Sequence, residues 1–189
     1  MRLLIVLLFL SLNLHCKGKA LSYDLRGVPE KHAEFIKKYH EVAIAECVNH
    51  GVPASITMAQ AILESGAGTS KMFRQTNNLF GVKAKRNNPL FKRYAVGAKA
   101  FGEGDFCVYV SPWWSFRHRS VLLTQGTYQG IRERYGKNYF SWAFQLKARG
   151  YAEDRKYPQK LIKLINSYKL YLLDGFTAPL TGKQSEIKY

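Results

Sequence analysis

From Pro53 to Leu63 the chain carries no charged side chain, and the first one it then meets is Glu64. Proline at the first turn of a helix has its φ already set and gives up no bond the helix would use. Met58, Ala59, Ile62 and Leu63 recur at helical spacing and form a buried stripe. Ser65-Gly66-Ala67-Gly68 closes the element with small, turn-forming residues. Glu64 therefore falls at the end of an apolar helix, beside a glycine turn. Burial disfavours the charged form of a carboxyl and raises its pKa, so such a group can donate a proton near neutral pH. A helix-end Glu paired with Lys71 or Lys83 is the structural alternative. The local residues alone leave the two readings open.

The rest of the chain reads as one domain around this helix. Pro29-Glu30 opens a helix in which Phe35, Ile36, Tyr39, Ala43 and Cys47 keep one face apolar until Gly51 ends it. Residues 84–110 change character. Lys85 to Pro89 are turn formers, Leu90–Tyr94 and Phe106–Val110 have strand composition, and glycines lie between them. This predicts a small antiparallel β-lobe. Ser111-Pro112 predicts a helix start, with the helix running towards Leu123. Further helices are expected over Trp142–Ala148 and from Pro158, the last with Leu161, Ile162, Leu164, Ile165 and Tyr168 buried. The tail after Asp174 reads as loosely ordered.

Length and composition agree with this organisation. The chain has 189 residues, 47% of them apolar and 14% aromatic, enough for a sizeable core. Its start reads as an export signal: Met1-Arg2, then an apolar run from Leu3 to Leu14 that is too short to span a bilayer. Gly18-Lys19-Ala20 offers small residues for cleavage. The chain thus divides into residues 1–20 as signal, 21–175 as the folded domain and 176–189 as tail. Lipidation at Cys16 is the second option, disfavoured because His15 stands where a small residue is wanted. The net charge is +16, and removing the leader takes away only Arg2, Lys17 and Lys19. A basic exported surface is drawn to wall polymers, anionic lipid headgroups and peptide carboxylates, whereas nucleic acid is the cytoplasmic reading of the same charge. Cys47 and Cys107 lack CxxC spacing and nearby His ligands, so no zinc site is expected. Whether they pair is left open.

Acidic residues are scarce, so elimination is informative. Glu30, Glu34, Glu41 and Glu46 read as the polar side or ends of the first helix. Glu133 lies between Arg132 and Arg134, and Asp174 and Glu186 belong to the tail. Glu64, Glu103, Asp105, Glu153 and Asp154 remain. Three ordered blocks carry more than any single residue: Met58-Ala-Gln-Ala-Ile-Leu-Glu64-Ser-Gly66 followed by Asn77-Asn-Leu-Phe-Gly-Val-Lys83; Phe106-Cys-Val-Tyr109 with Ser115-Phe116; and Leu146-Lys-Ala-Arg-Gly-Tyr-Ala-Glu-Asp-Arg-Lys-Tyr-Pro158. Over roughly residues 30–172 they resemble the bacterial endo-β-N-acetylglucosaminidase family, which includes flagellar-rod muramidase-like proteins and autolysin-type peptidoglycan hydrolases.

The resemblance implies a mainly α, α+β fold, a lysozyme-like helical lobe and small antiparallel β-lobe flanking a substrate groove. It implies a peptidoglycan hydrolase that cleaves the glycosidic bond after N-acetylglucosamine, with Glu64 as general acid. A second carboxylate is expected from the β-lobe. Glu103 stands at that place between two glycines, with Asp105 beside it, and assistance by the sugar's acetamido group is the alternative route. Tyr151 is expected at the scissile bond, and Asn78, Phe80 and Tyr157 as substrate-binding residues, Asn78 structural first. Asp154 reads as a turn or cap residue. The substrate partner is the peptidoglycan glycan strand, met by a monomer with no cofactor or metal. Two departures stand out. Ala67 replaces an aromatic residue common in the family, and Trp113-Trp114 replace polar ones as a hydrophobic staple or a stacking surface. A muramidase or lytic transglycosylase on the same fold, and a cationic wall-binding protein without turnover, are the competing readings.

Overall fold

A computed structural model describes residues 24–176. The leader, Cys16 and the tail beyond Phe176 lie outside the described residues. Helix α1 (Glu30–His50) opens after Pro29 and ends where Gly51 takes the left-handed conformation, φ 72°. Its apolar face is the expected one, extended by Ile44. Glu46 departs from expectation: it is fully buried, accepts from Arg117 Nε at 2.9 Å and has His50 Nε2 3.4 Å away. Periodicity predicts the angular position of a residue but not whether another helix will cover it. Here α5 (Pro112–Leu122) lies against α1 and brings its own cation.

Helix α2 (Ala54–Ser65) is the centre of the domain. Every residue from Ala54 to Ile62 is buried. It is packed by α1, by α7 (Tyr139–Ala148), by α8 (Tyr157–Ser167) and by a 3₁₀ turn at Leu170–Gly175. A helix enclosed on all sides must satisfy its polar atoms internally. Pro53, at the N-cap position before it, offers no capping side chain. Asp174 supplies the cap from the far end of the domain, accepting from Ser55 N at 2.9 Å and Ser55 Oγ at 2.6 Å. The residue read as part of a loose tail is thus a long-range cap. Sequence reasoning could not place it, because the partners are far apart along the chain.

The β-lobe is smaller than expected. Strands β1 (Gly97–Phe101) and β2 (Gly104–Val108) form one antiparallel hairpin, in register from Gly97 with Val108 to Phe101 with Gly104. The expected strand at Leu90–Tyr94 is instead helix α4 (Pro89–Tyr94). The reason is local. Asn88 accepts from Leu90 N at 2.8 Å and Pro89 occupies the first turn, a capped helix start stronger than the β composition that follows. Tyr94, Cys107 and Tyr109 form a separate small core beneath this lobe.

Helix α5 joins the lobes. Phe116 belongs to the main core, while His118 meets Tyr94 and Tyr109 of the β-lobe. Ser111 precedes it as expected, but its side chain makes no cap bond. Helix α3 (Lys71–Thr76) and helix α6 (Ile131–Tyr135) are too short to show a period and were not expected. Cys47 and Cys107 are free thiols in different core clusters.

Removing the remote cap should cost stability without unfolding the domain. Asp174→Ala is expected to destabilise by about 0.5–2 kcal/mol, the usual range for losing an N-cap side chain. Urea denaturation followed by circular dichroism checks it, and an unchanged midpoint would show that water replaces the cap at no cost.

Candidate active site

Glu64 sits in the last turn of α2, and the turn behind it is firmly made. Ser65 Oγ donates to Ala61 O at 2.6 Å and accepts from Gly68 N at 2.8 Å. Ala67 N reaches back to Ile62 O, and Ser70 N to Ser65 O. Gly66 and Ala67 both lie in the left-handed region, at φ 59° and 53°. Glycine takes that conformation freely, whereas alanine pays a steric cost. The Ala67 methyl is buried in the main core. A residue here therefore points inward, so the missing aromatic does not strip a side chain from the groove wall in this arrangement.

Glu64 itself is half-buried and faces a groove of about 1110 Å³ lined from both lobes. The helical side gives Glu64, Tyr128, Tyr151 and Glu153, and the β-lobe side gives Lys83, Phe91 and Phe106. That volume is at or above the upper end for small-molecule pockets, so the space suits a polymer segment. Burial pushes the Glu64 carboxyl above its ordinary range; a hydrogen bond from Tyr157 and the charge of Lys160 act in the opposite direction and only partly offset it.

A chain of polar contacts runs behind the carboxyl into the core. Tyr157 Oη donates to Glu64 Oε1 at 2.9 Å. Gln60 Nε2 donates to Tyr157 Oη at 2.8 Å. Arg119 Nη2 donates to Gln60 Oε1, and its Nη1 to Thr57 Oγ1 at 2.9 Å. Arg119 also lies over the Phe80 ring, 5.4 Å from its centroid. Tyr151 stacks on Tyr157 at 5.8 Å. Its loop is held by Lys147 Nζ, which donates to Ala152 O at 3.0 Å and Glu153 O at 2.8 Å.

The residues expected from sequence divide into three groups. Glu64, Tyr151 and Phe80 meet at the groove. Tyr157 and Asn78 are buried behind it. Asn78 uses its whole amide inside the loop: Nδ2 donates to Val82 O and Cys107 O at 3.0 and 3.1 Å, and Oδ1 accepts from Val82 N and Phe80 N at 3.0 and 3.4 Å. It thereby ties the Phe80 loop to β2. Tyr157 touches the carboxyl and does not line the groove. Glu103 is exposed in the turn between β1 and β2, outside the groove lining, and Asp105 pairs with Arg86 at 3.1 Å. Asp154 is the turn residue expected, accepting from Lys156 N at 2.8 Å and pairing with Lys160 at 2.6 Å. Gln60, Thr57 and Arg119 were missed. The legible signal was a glutamine inside an otherwise apolar helix, which requires a buried partner. Among the described residues no cluster of His, Cys, Asp and Glu is placed to hold a metal.

A helical lobe, a small β-hairpin lobe and a protonatable carboxyl at the groove between them are the architecture of a lysozyme-like domain. The profile of the glucosaminidase family, described as mannosyl-glycoprotein endo-β-N-acetylglucosaminidase, matches residues 40–170, and the chain belongs to that family. It is 32% identical over 150 residues to the exo-glucosaminidase LytG of Bacillus subtilis (strain 168), covering 74% of this chain and 49% of that protein. It spans about a quarter of two longer relatives, including an autolysin of Enterococcus faecalis. Among solved structures it resembles the catalytic domain of the autolysin Auto from Listeria monocytogenes, with TM-score 0.61 and 25% identity over 79% of this chain and 91% of that one. It also resembles the glycoside hydrolase domain of FlgJ from Salmonella typhimurium, with TM-score 0.57 and 27% identity over 73% of this chain and 88% of that one.

The raised pKa of Glu64 has a consequence for stability. The folded state holds this proton more tightly than the unfolded chain does, so stability is full below the ordinary value of 4.5 and falls as pH rises through the elevated one. Glu64→Gln should therefore be more stable than the parent at about pH 7 and closely matched to it at about pH 4. Thermal melts at both values check this, and a constant difference across pH would refute it.

Proposed function

We propose that this domain is an exported peptidoglycan hydrolase that cleaves the glycosidic bond after N-acetylglucosamine, with Glu64 as the general acid. The observation that carries the proposal is the carboxyl itself: half-buried, favoured in its protonated form and set at the foot of a groove open to a polymer. A glycosidic leaving group needs a proton on its oxygen, and a carboxyl with a raised pKa supplies it at neutral pH. Family membership and the exo-glucosaminidase and autolysins among its relatives support the substrate class. The reading places action outside the cytoplasm, in keeping with the apolar start of the chain. No helix of the described residues is long and apolar enough to cross a membrane. Lys83, Lys85 and Arg149 on the groove wall, within a strongly basic chain, suit anionic wall polymers and the carboxylates of peptide stems.

The second carboxylate is the open step in this reading. Glu103 serves as base if the hairpin closes over the bound glycan, and glycine at φ 55° beside it in the turn eases that motion. Without closure, the acetamido group of the substrate assists departure, and the exposed Glu103 contributes little. Glu153 already lines the groove beside Tyr151, so it is the control residue for either route.

Glu64→Gln is expected to lower lysis of purified sacculi by at least about a hundredfold while leaving sacculus binding intact, the range for removing a general acid. Retained lysis would overturn the assignment. Glu103→Gln separates the routes: a large loss supports hairpin closure, and a near-neutral effect supports substrate assistance. Mass spectrometry of released muropeptides should show reducing N-acetylglucosamine ends. Anhydro sugars would instead make the enzyme a lytic transglycosylase.

A further inference from the structure

Arg119 is fully buried and makes no ion pair among the described residues. Its Nε finds no hydrogen-bond partner, and the guanidinium faces the hydroxyls of Tyr151 and Tyr157. Burying an unpaired guanidinium is costly, so a position that keeps one calls for an explanation beyond packing.

The explanation lies in the direction of the hydrogen bonds. A guanidinium has donors and no acceptor. Arg119 therefore forces the carbonyl end of Gln60 towards itself, and the Gln60 amide can be read only one way round. Its Nε2 then points to Tyr157 Oη and donates there. The Tyr157 oxygen accepts that bond, and its single proton goes to Glu64 Oε1. Glu64 Oε1 is thus held as an acceptor. We infer that Arg119, acting through Gln60 and Tyr157, confines the transferable proton of Glu64 to Oε2 and so aims the acid at the groove. The inference rests on Glu64 being the acid. After transfer the carboxylate keeps the Tyr157 donor, which stabilises the charge left behind. Arg119, Gln60 and Tyr157 are positioning residues in this scheme, since none of them lines the groove.

Gln60→Glu tests the direction with almost no change of shape. Glutamate accepts from both Arg119 and Tyr157, gives the buried cation a counter-ion and turns the tyrosine proton away from Glu64. The charged and titratable groups facing Glu64 are Lys160 and Tyr157 on α8 and Tyr151 from the loop before it. Losing the Tyr157 donor and gaining a nearby negative charge both raise the Glu64 pKa. On soluble glycan strands released from sacculi, kcat should fall by at least about tenfold with KM nearly unchanged, and the alkaline limb of the kcat/KM profile should move to higher pH. Tyr157→Phe alone should shift the limb in the same direction. In the Gln60→Glu background it should cost little more, because the donor is already lost. An unshifted limb in Gln60→Glu, or in Tyr157→Phe if the first variant fails to fold, overturns the inference while Glu64→Gln is inactive. Activity in Glu64→Gln would overturn the functional reading instead.

Discussion

Enclosing one helix on every side sets terms that the rest of the domain has to meet. Each polar atom that α2 carries must be satisfied without bulk water, and the partners come from distant parts of the chain. Asp174 caps its start, Arg119 meets Thr57 and Gln60 in its middle, and Tyr157 meets Glu64 at its end. These contacts pull α5, α8 and the terminal 3₁₀ turn onto one axis. The same enclosure leaves a carboxyl half out of water at the place where the helix stops. The burial that raises the Glu64 pKa also makes its charged form a cost to stability.

The groove exists because a second, smaller lobe is held at a fixed place beside that helix end. Asn77 donates to Tyr109 O, Asn78 to Cys107 O, and Ser115 Oγ accepts from Leu79 N. Tyr109 and His118 then join across to α5 at 2.9 Å, with burial holding the His118 pKa down to about 4. That imidazole is neutral in the ordinary pH range and acts as a neutral hydrogen-bonding strut. Asn77 and Asn78 thus tie the two lobes together through their side-chain amides. The hairpin beyond them pairs along the free edge of β2 with residues 82–84, through Ala84 N to Asp105 O and Cys107 N to Val82 O, and carries Glu103 exposed at its tip.

Charge is distributed by the same logic. The strongly basic chain exposes most of its cations, and several stand along the groove. Among the described residues, Arg117 and Arg119 turn inward. Arg117 neutralises the buried Glu46, and Arg119 spends its donors on neutral acceptors. The first is a structural ion pair. The second stands at the head of a line of hydrogen bonds that ends on Glu64, and this division follows from which neighbours have lone pairs to offer.

Much of this was legible in the chain, because it depends on short-range chemistry. Proline starts, glycine stops and apolar spacing place α1, α2, α5 and α8 close to where they are. The three ordered blocks point to the family and to Glu64. The misreadings have particular causes. Leu90–Tyr94 has strand composition, but Asn88 and Pro89 impose a helix before composition can act. Glu46 and Asp174 look like surface and tail residues until helices from elsewhere cover them. Sequence by itself determined that a carboxyl would end an apolar helix beside a glycine turn, since that follows from neighbours in the chain. Only tertiary structure decided what stands behind the carboxyl and across from it, because Gln60, Arg119 and Tyr157 are far apart along the chain and their hydrogen bonds acquire a direction only when folding brings them together.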